Sequence, residues 1–238
     1  MQLINGDALK HLKKIPDNSI DYIVTDVPYR VTSRGSAEGM GGYWVEKAAL
    51  RGKIFENNDI KPSEYLPDFY RILKDKSICN IMINNLNLQE MLNEATKVGF
   101  NFVKSIIWDK QAKICGRYYM GCYEHILLFR KGGDRPINDC STPDILSIPI
   151  NKTKDENGQN YHDTEKPVKL LETLVLNSSN EGDTVLDPFM GIGSAGIACR
   201  MHKRDFIGIE IDKHFYEIAE SRINGTEIKK EFLQGELF

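Results

Sequence analysis

The sequence has no Cys-x-x-Cys pair and no histidines at metal-ligand spacing, although it carries five cysteines, at positions 79, 115, 122, 140 and 199. That excludes the common zinc frameworks, and an odd count argues against a disulfide scaffold. Reduced, mostly buried thiols are expected. No run approaches the roughly 18 apolar residues of a membrane helix. Met1-Gln2-Leu3-Ile4-Asn5-Gly6-Asp7 offers neither a basic leader nor an apolar core of signal length, so a cytoplasmic protein is expected. Internal repeats and low-complexity tracts are missing too, which excludes solenoids and arrays. A strong charge of either sign is also lacking, the formal net charge being −3. The distribution says more than the sum: between Lys97 and Arg135 eight Lys or Arg face three acids, leaving one segment at +5.

What is present is ordinary globular material, 238 residues with 41% hydrophobic and 27% charged content. This suffices for one substantial core, residues 1–238 as a single domain, with room for one small inserted lobe. The chain is organised around Ser19 to Arg30. Ile20 to Val24 reads as a buried strand, and Pro28 forces the chain out of the sheet. Asp26, the Val27 carbonyl and the Tyr29 ring then stand at a strand's C-terminal end, where open α/β sheets place ligands. They suit a planar base with an exocyclic amino group: two acceptors for its hydrogens and a ring to stack on its face. A plain Asp-x-Pro-Tyr turn has the same residues, so this stretch alone leaves both readings open.

Met1–Asn5 reads as a short strand and Ala8–Ile15 as a short helix. The glycine-rich stretch 30–58 reads as a long loop beside the proposed site, a mobile lid or plain disorder. Helices are expected over Ser63–Leu73 and Asn87–Val98, with Gly99 as the stop. Strands are expected over Ser77–Ile83, Phe102–Trp108 and Tyr123–Phe129, the last two as an antiparallel pair. Residues 131–163, with three prolines and little periodicity, read as a small loop-rich lobe. Pro167 opens a helix, Thr184–Asp187 is a strand, a further helix runs to Met201, and strand Phe206–Ile211 and helix Lys213–Ile223 close the chain.

Gly191-Ile192-Gly193-Ser194-Ala195-Gly196 is a G-x-G-x-x-G between strand and helix, with Glu210 about twenty residues on. Such a unit points to a ribose-bearing cofactor, the acid binding the ribose hydroxyls, with a purely structural glycine turn as the alternative. The loop alone does not distinguish a dinucleotide from S-adenosylmethionine. A dinucleotide fold needs a second half after this loop, and too little chain follows. The missing strands precede it instead. A circular permutation would set Met1–Asn5 beside the Glu210 strand and the Asp26 strand beside the Asp187 strand.

On these residues the chain resembles the permuted β group of DNA amino-methyltransferases, over nearly its whole length. Asn5-Gly6-Asp7 is similar to that family's adenine-contacting element, and Ser19 to Tyr29 to its catalytic strand and D-P-P-Y motif. Ile106-Ile107-Trp108-Asp109-Lys110 and Glu124-His125-Ile126-Leu127 resemble its mid-chain strand pair. His162-Asp163-Thr164-Glu165-Lys166-Pro167 resembles the element over the cofactor's methionine end. Asp187-Pro188-Phe189-Met190-Gly191-Ile192-Gly193-Ser194 resembles the cofactor loop, and Ile207 to Asp212 the ribose strand.

The resemblance implies an α/β, circularly permuted Rossmann-like methyltransferase fold with an inserted target-recognition lobe at 131–163. It implies S-adenosyl-L-methionine as cofactor, held by Asp7, Thr164, Lys166, Pro167, Asp187, Phe189, Gly191, Gly193, Ser194 and Glu210. Methyl transfer to a flipped base would rest on Asp26, Val27, Pro28 and Tyr29. Val27 departs from the family's usual first proline, but the contact assigned to that position is a backbone carbonyl. No cysteine follows a proline, so the Pro-Cys nucleophile of cytosine-C5 enzymes is absent. Asp rather than Ser leading the tetrapeptide favours adenine N6, with cytosine N4 as the alternative. A degenerate DNA- and cofactor-binding protein and a nucleotide-dependent dehydrogenase are the readings further off. Double-stranded DNA is the implied partner and a homodimer is admitted. Lys110 to Tyr119 and residues 131–163 are candidates for phosphate and base contacts. Gln234-Gly235-Glu236-Leu237-Phe238 is similar to the peptide by which bacterial proteins bind the replication sliding clamp.

Overall fold

In the computed structural model, which describes residues 1–28, 60–114, 119–162 and 164–226, the apolar runs lie side by side in one eight-stranded sheet. The strands are β1 (Gln2–Asn5), β2 (Ile20–Asp26), β3 (Leu73–Ile83), β4 (Asn101–Ile114), β5 (Gly121–Arg130), β6 (Ile145–Ser147), β7 (Thr184–Asp187) and β8 (Asp205–Glu210). The helices of the described residues are α1 (Ala8–Leu12), α2 (Pro62–Ile72), α3 (Leu88–Val98), α4 (Val168–Ser178), α5 (Ser194–Met201) and α6 (Lys213–Asn224). Across the sheet the order is β1-β8-β7-β2-β3-β5-β4-β6. The first five run parallel, β5 is antiparallel to β3 and β4, and β6 is parallel to β4.

This is the permuted order expected: β1 pairs with β8, and β2 with β7. Strands buried on both faces need apolar residues on both, and β3 supplies them by alternation. Ile78 and Met82 face one core, Cys79, Ile81 and Ile83 the other. In β2 the register against β3 slips between Ile20 and Tyr22. The surplus lies on β3, where Leu73 to Ile78 spans five positions against the two from Ile20 to Tyr22; Ile20 shares a face with Ile23, while Tyr22 and Val24 face the other core. Helices α1 to α3 cover the Ile23 face with Leu12, Leu66, Phe69 and Met91. Helices α4 to α6 cover the Tyr22 face with Leu170, Leu174, Ala198 and Ile223.

The chain departs from expectation in three places. Strand β4 runs six residues past Trp108, carrying its hairpin with β5 beyond the end of β3. Within 131–162, Ile145–Ser147 joins the edge of the main sheet, and the Trp108 indole N–H donates to the Ile148 carbonyl at 2.8 Å. Cys79 and Cys199 are buried, but Cys122 and Cys140 are exposed. Among the described residues no helix is long and apolar enough to cross a membrane.

Candidate active site

The parallel strands all end on one side, and the chain leaves β2 and β7 in opposite directions across the sheet, so their tips border the crevice that such sheets leave for ligands. Asp26 ends β2 and Asp187 ends β7. The Thr25 hydroxyl donates to Asp187 Oδ1 at 2.8 Å and the Phe189 N–H donates to it at 3.1 Å. Burial nevertheless pushes the Asp187 carboxyl up to about 7, those two bonds lowering it and the nearby Asp26 and Glu210 raising it.

Glu210 closes the far side at the tip of β8. Its Oε2 accepts from the Gly191 N–H at 2.9 Å and its Oε1 from the Asp212 N–H at 2.8 Å. Burial raises this carboxyl as well, against those backbone donors. At the tip of β1, the Asn5 side-chain amide and the Gly6 N–H both donate to the Glu210 carbonyl at 2.9 Å. Asp7 then caps α1, accepting from the Leu9 N–H at 3.0 Å.

These tips enclose a cavity of about 490 Å³, a volume within the range of small-molecule sites. Of the residues singled out in the sequence, Asp7, Asp26, Val27, Pro28, Thr164, Lys166, Asp187, Phe189, Gly191, Ser194 and Glu210 line it. Gly193 and Pro167 stand behind the wall. Pro167 starts α4, and Gly193 (φ +80°) packs against α6, where an added Cβ would lie 2.8 Å from Ile223 Cδ1. Gly191 (φ +51°) meets nothing nearer than His162 Nε2 at 3.9 Å, which leaves its Cα side open to a ligand. Tyr29, the loop 30–58 and Gln234–Phe238 lie outside the described residues.

Lys166 reaches the Asp26 carboxylate and donates to Oδ2. Asp26 Oδ1 is buried and has no hydrogen-bond partner among the described residues, and the same holds for Ser194 Oγ. A buried acceptor left without a donor carries a desolvation cost that an incoming N–H can relieve.

Three residues on or behind this wall, named in the sequence only within longer motifs, take places there that the sequence did not assign. His162 lines the cavity and meets the Phe215 ring edge-on at 4.4 Å. Glu124 forms an ion pair with Lys110, and its other oxygen lies 3.5 Å from Lys166 Nζ. Lys110 is only 8% exposed, so it faces inward and is not available to a phosphate. The register shows why: Trp108 pairs with Glu124, which puts Lys110 and Glu124 on one face at diagonal positions, and that register is not written in the sequence.

The profile of a family described as DNA methylase matches residues 20–221. The DNA adenine methyltransferase YhdJ of Escherichia coli (strain K12) is 28% identical over 254 residues, covering 93% of this chain and 82% of its own. A putative DNA modification methylase of Thermus thermophilus, solved with S-adenosyl-L-methionine, superposes with a TM-score of 0.67 at 22% identity. That match covers 94% of this chain and 93% of the other. The cytosine-N4-specific PvuII DNA methyltransferase gives a TM-score of 0.72 at 16% identity, over 98% of this chain and 93% of its own. At those identities the two structures speak for the fold.

Proposed function

Since the chain belongs to the DNA methylase family, we propose that it transfers a methyl group from S-adenosyl-L-methionine to the exocyclic N6 of an adenine flipped out of duplex DNA. The observation that carries this reading is the buried, unpartnered Asp26 Oδ1 on a residue that lines a cofactor-sized cavity. An amino nitrogen conjugated to a ring is a poor nucleophile. Asp26 Oδ1 and the Val27 carbonyl, one residue on, accept its two hydrogens and turn its lone pair out of conjugation toward the cavity. Pro28 turns the chain away from the base, and Tyr29 supplies the stacking face. Val27 is 2% exposed and packs in the same apolar cluster as Ile23 and Leu66, so its side chain anchors the turn that proline would stiffen.

The cavity suits a cationic, ribose-bearing cofactor. Asp7, Asp26, Asp187, Glu210 and Asp212 all line it, and Lys166, its one lysine among the described residues, is paired with Asp26. Glu210 holds the ribose hydroxyls, Asp7 reaches the adenine, and Asp187, Phe189 and Thr164 flank the methionine end with Gly191 and Ser194 beneath. When bound, S-adenosyl-L-methionine supplies an electrophilic methyl on a positively charged sulfur.

A pH dependence follows from Asp187. Its folded-state carboxyl is raised to about 7, so it is largely protonated below that pH and ionised above. A cationic ligand binds the ionised form better. Cofactor affinity is therefore expected to rise as pH increases through about 7 and then level off, with a proton released on binding at pH 6. Calorimetry in two buffers of different ionisation enthalpy measures that proton; no release at pH 6 would count against the assignment.

The reaction is tested by incubating the protein with S-adenosyl-L-methionine and mixed-sequence duplex DNA and identifying the methylated nucleosides by mass spectrometry. N6-methyladenine is expected. N4-methylcytosine would keep the mechanism and change the base, a reading served by the same two acceptors and by the likeness to the N4-specific fold. No methylated nucleoside, with DNA and cofactor both bound, would leave a binding protein.

A further inference from the structure

We propose that Lys166 is a positioning residue of this reaction: it pins Asp26 Oδ2 so that Oδ1 alone meets the amino group, and Glu124, held by Lys110, fixes where Lys166 sits. The inference rests on the methyl-transfer reading above and reassigns a residue that the sequence places with the cofactor.

Four charges stand in a row. Lys166 donates to Asp26 Oδ2, its ammonium lies 3.5 Å from Glu124 Oε2, and Lys110 holds Glu124 Oε1. Lys110 Nζ also sits 5.2 Å from the Trp108 ring centroid. The four groups come from the end of β2, the segment before α4, β5 and β4. Two cations alternate with two anions, so the row is neutral as a whole. Their side chains are between 9% and 25% exposed. Charges at that depth persist only when paired, and removing one strands its neighbour.

A carboxylate offers two equivalent oxygens and can turn to present either. With Oδ2 engaged, one acceptor remains, and it is the one without a partner. That converts a rotating group into a fixed one, which is what positioning requires. The row also sets the charge. Burial raises the Asp26 carboxyl; Lys166 and Lys110 lower it, while Glu124 opposes ionisation. Burial would likewise raise Glu124, but Lys166 and Lys110 outweigh it and hold it below the usual range. Glu124 therefore draws on the same ammonium as Asp26, and the two removals have opposite signs.

The test is a pair of variants, Lys166→Gln and Glu124→Gln, read by kcat, the KM for S-adenosyl-L-methionine and the pH profile of kcat. Lys166→Gln is expected to lower kcat about 100-fold, the scale of a misplaced reacting group. Its KM should stay within about threefold, the mark of an interaction made in the transition state rather than in uniform binding. Its acid limb should move to higher pH, because Asp26 loses its cation. Glu124→Gln should move the acid limb to lower pH, because Lys166 no longer divides its charge. A raised KM at unchanged kcat in Lys166→Gln would return that lysine to the cofactor, and acid limbs that stay fixed in both variants would overturn the proposal. Carbon-13 titration of the Asp26 carboxyl in the free protein, wild type against Glu124→Gln, checks the same sign without turnover or Lys166→Gln. Should the wild-type protein methylate no DNA, the methyl-transfer reading fails; a carboxyl titration that still shifts downward in Glu124→Gln would show the row intact.

Discussion

Asp26→Ala is expected to lower methyl transfer at least about 1,000-fold while leaving S-adenosyl-L-methionine bound within a few-fold of the wild-type affinity. The asymmetry follows from what the side chain touches. Asp26 Oδ1 has no partner among the described residues and Oδ2 is held by Lys166, so the substitution removes the unpartnered acceptor and one ion pair while leaving Asp7 and Glu210 of the cavity in place. Oδ1 is the proposed acceptor for the amino group, and removing one preorganised partner of the reacting centre typically costs roughly 100- to 1,000-fold. Here the loss is compounded, because Lys166 is left beside Glu124 without its second anion. Single-turnover transfer to duplex DNA and calorimetry with the cofactor measure the two quantities separately. Equal losses in both would mean that Asp26 supports the cavity rather than the chemistry.

Gly193→Val is expected to destabilise the protein by about 3 to 5 kcal/mol, combining a β-branched residue in the left-handed region with an overpacked contact. The backbone there is at φ +80°, and the new Cβ would lie 2.8 Å from Ile223 Cδ1 and 3.1 Å from Ala219 Cβ. Neither neighbour is the free end of a surface side chain; both belong to the core that α6 makes with the sheet. Against a typical total of about 5 to 15 kcal/mol, that loss is severe. Urea denaturation measures it as a lower midpoint. Gly191→Ala, two residues earlier, should cost only about 1 to 2 kcal/mol for its left-handed backbone, since its nearest neighbour stands at 3.9 Å. Its larger effect should be on cofactor affinity. One loop thus separates a glycine that serves packing from one that serves the ligand.

The permuted strand order was legible because each half of the sheet carried its own signature: the glycine loop with Glu210, and the apolar run ending in Asp26. Periodicity then placed α2 and α3 close to their observed limits and paired β4 with β5, although β4 runs six residues further than expected. The slip in β2 was not legible, since Ile20, Tyr22, Ile23 and Val24 are all apolar and suit either face. Strand β6 was hidden for a different reason: three residues at a sheet edge leave no periodicity to read. The site was legible where chemistry is local, as in Asp187 beside the glycine loop. It was illegible where a charge is neutralised from far along the chain. Lys110 looked like a phosphate contact because its partner, Glu124, lies on another strand, and Lys166 meets Asp26 across 140 residues.

The pairing of β1 with β8 sets a schedule for synthesis. Asn5 and Glu210 touch although 205 residues separate them. At about 5 to 20 residues per second, a ribosome needs roughly 10 to 40 s to make the chain between them. Throughout that time the first strand exists without its partner. The edge it must eventually join is built last, together with the Gly191 loop and Glu210. A nascent chain therefore carries its first strand unpaired until β8 has been made, and completes its cofactor cavity only once the Gly191 loop and Glu210 are in place.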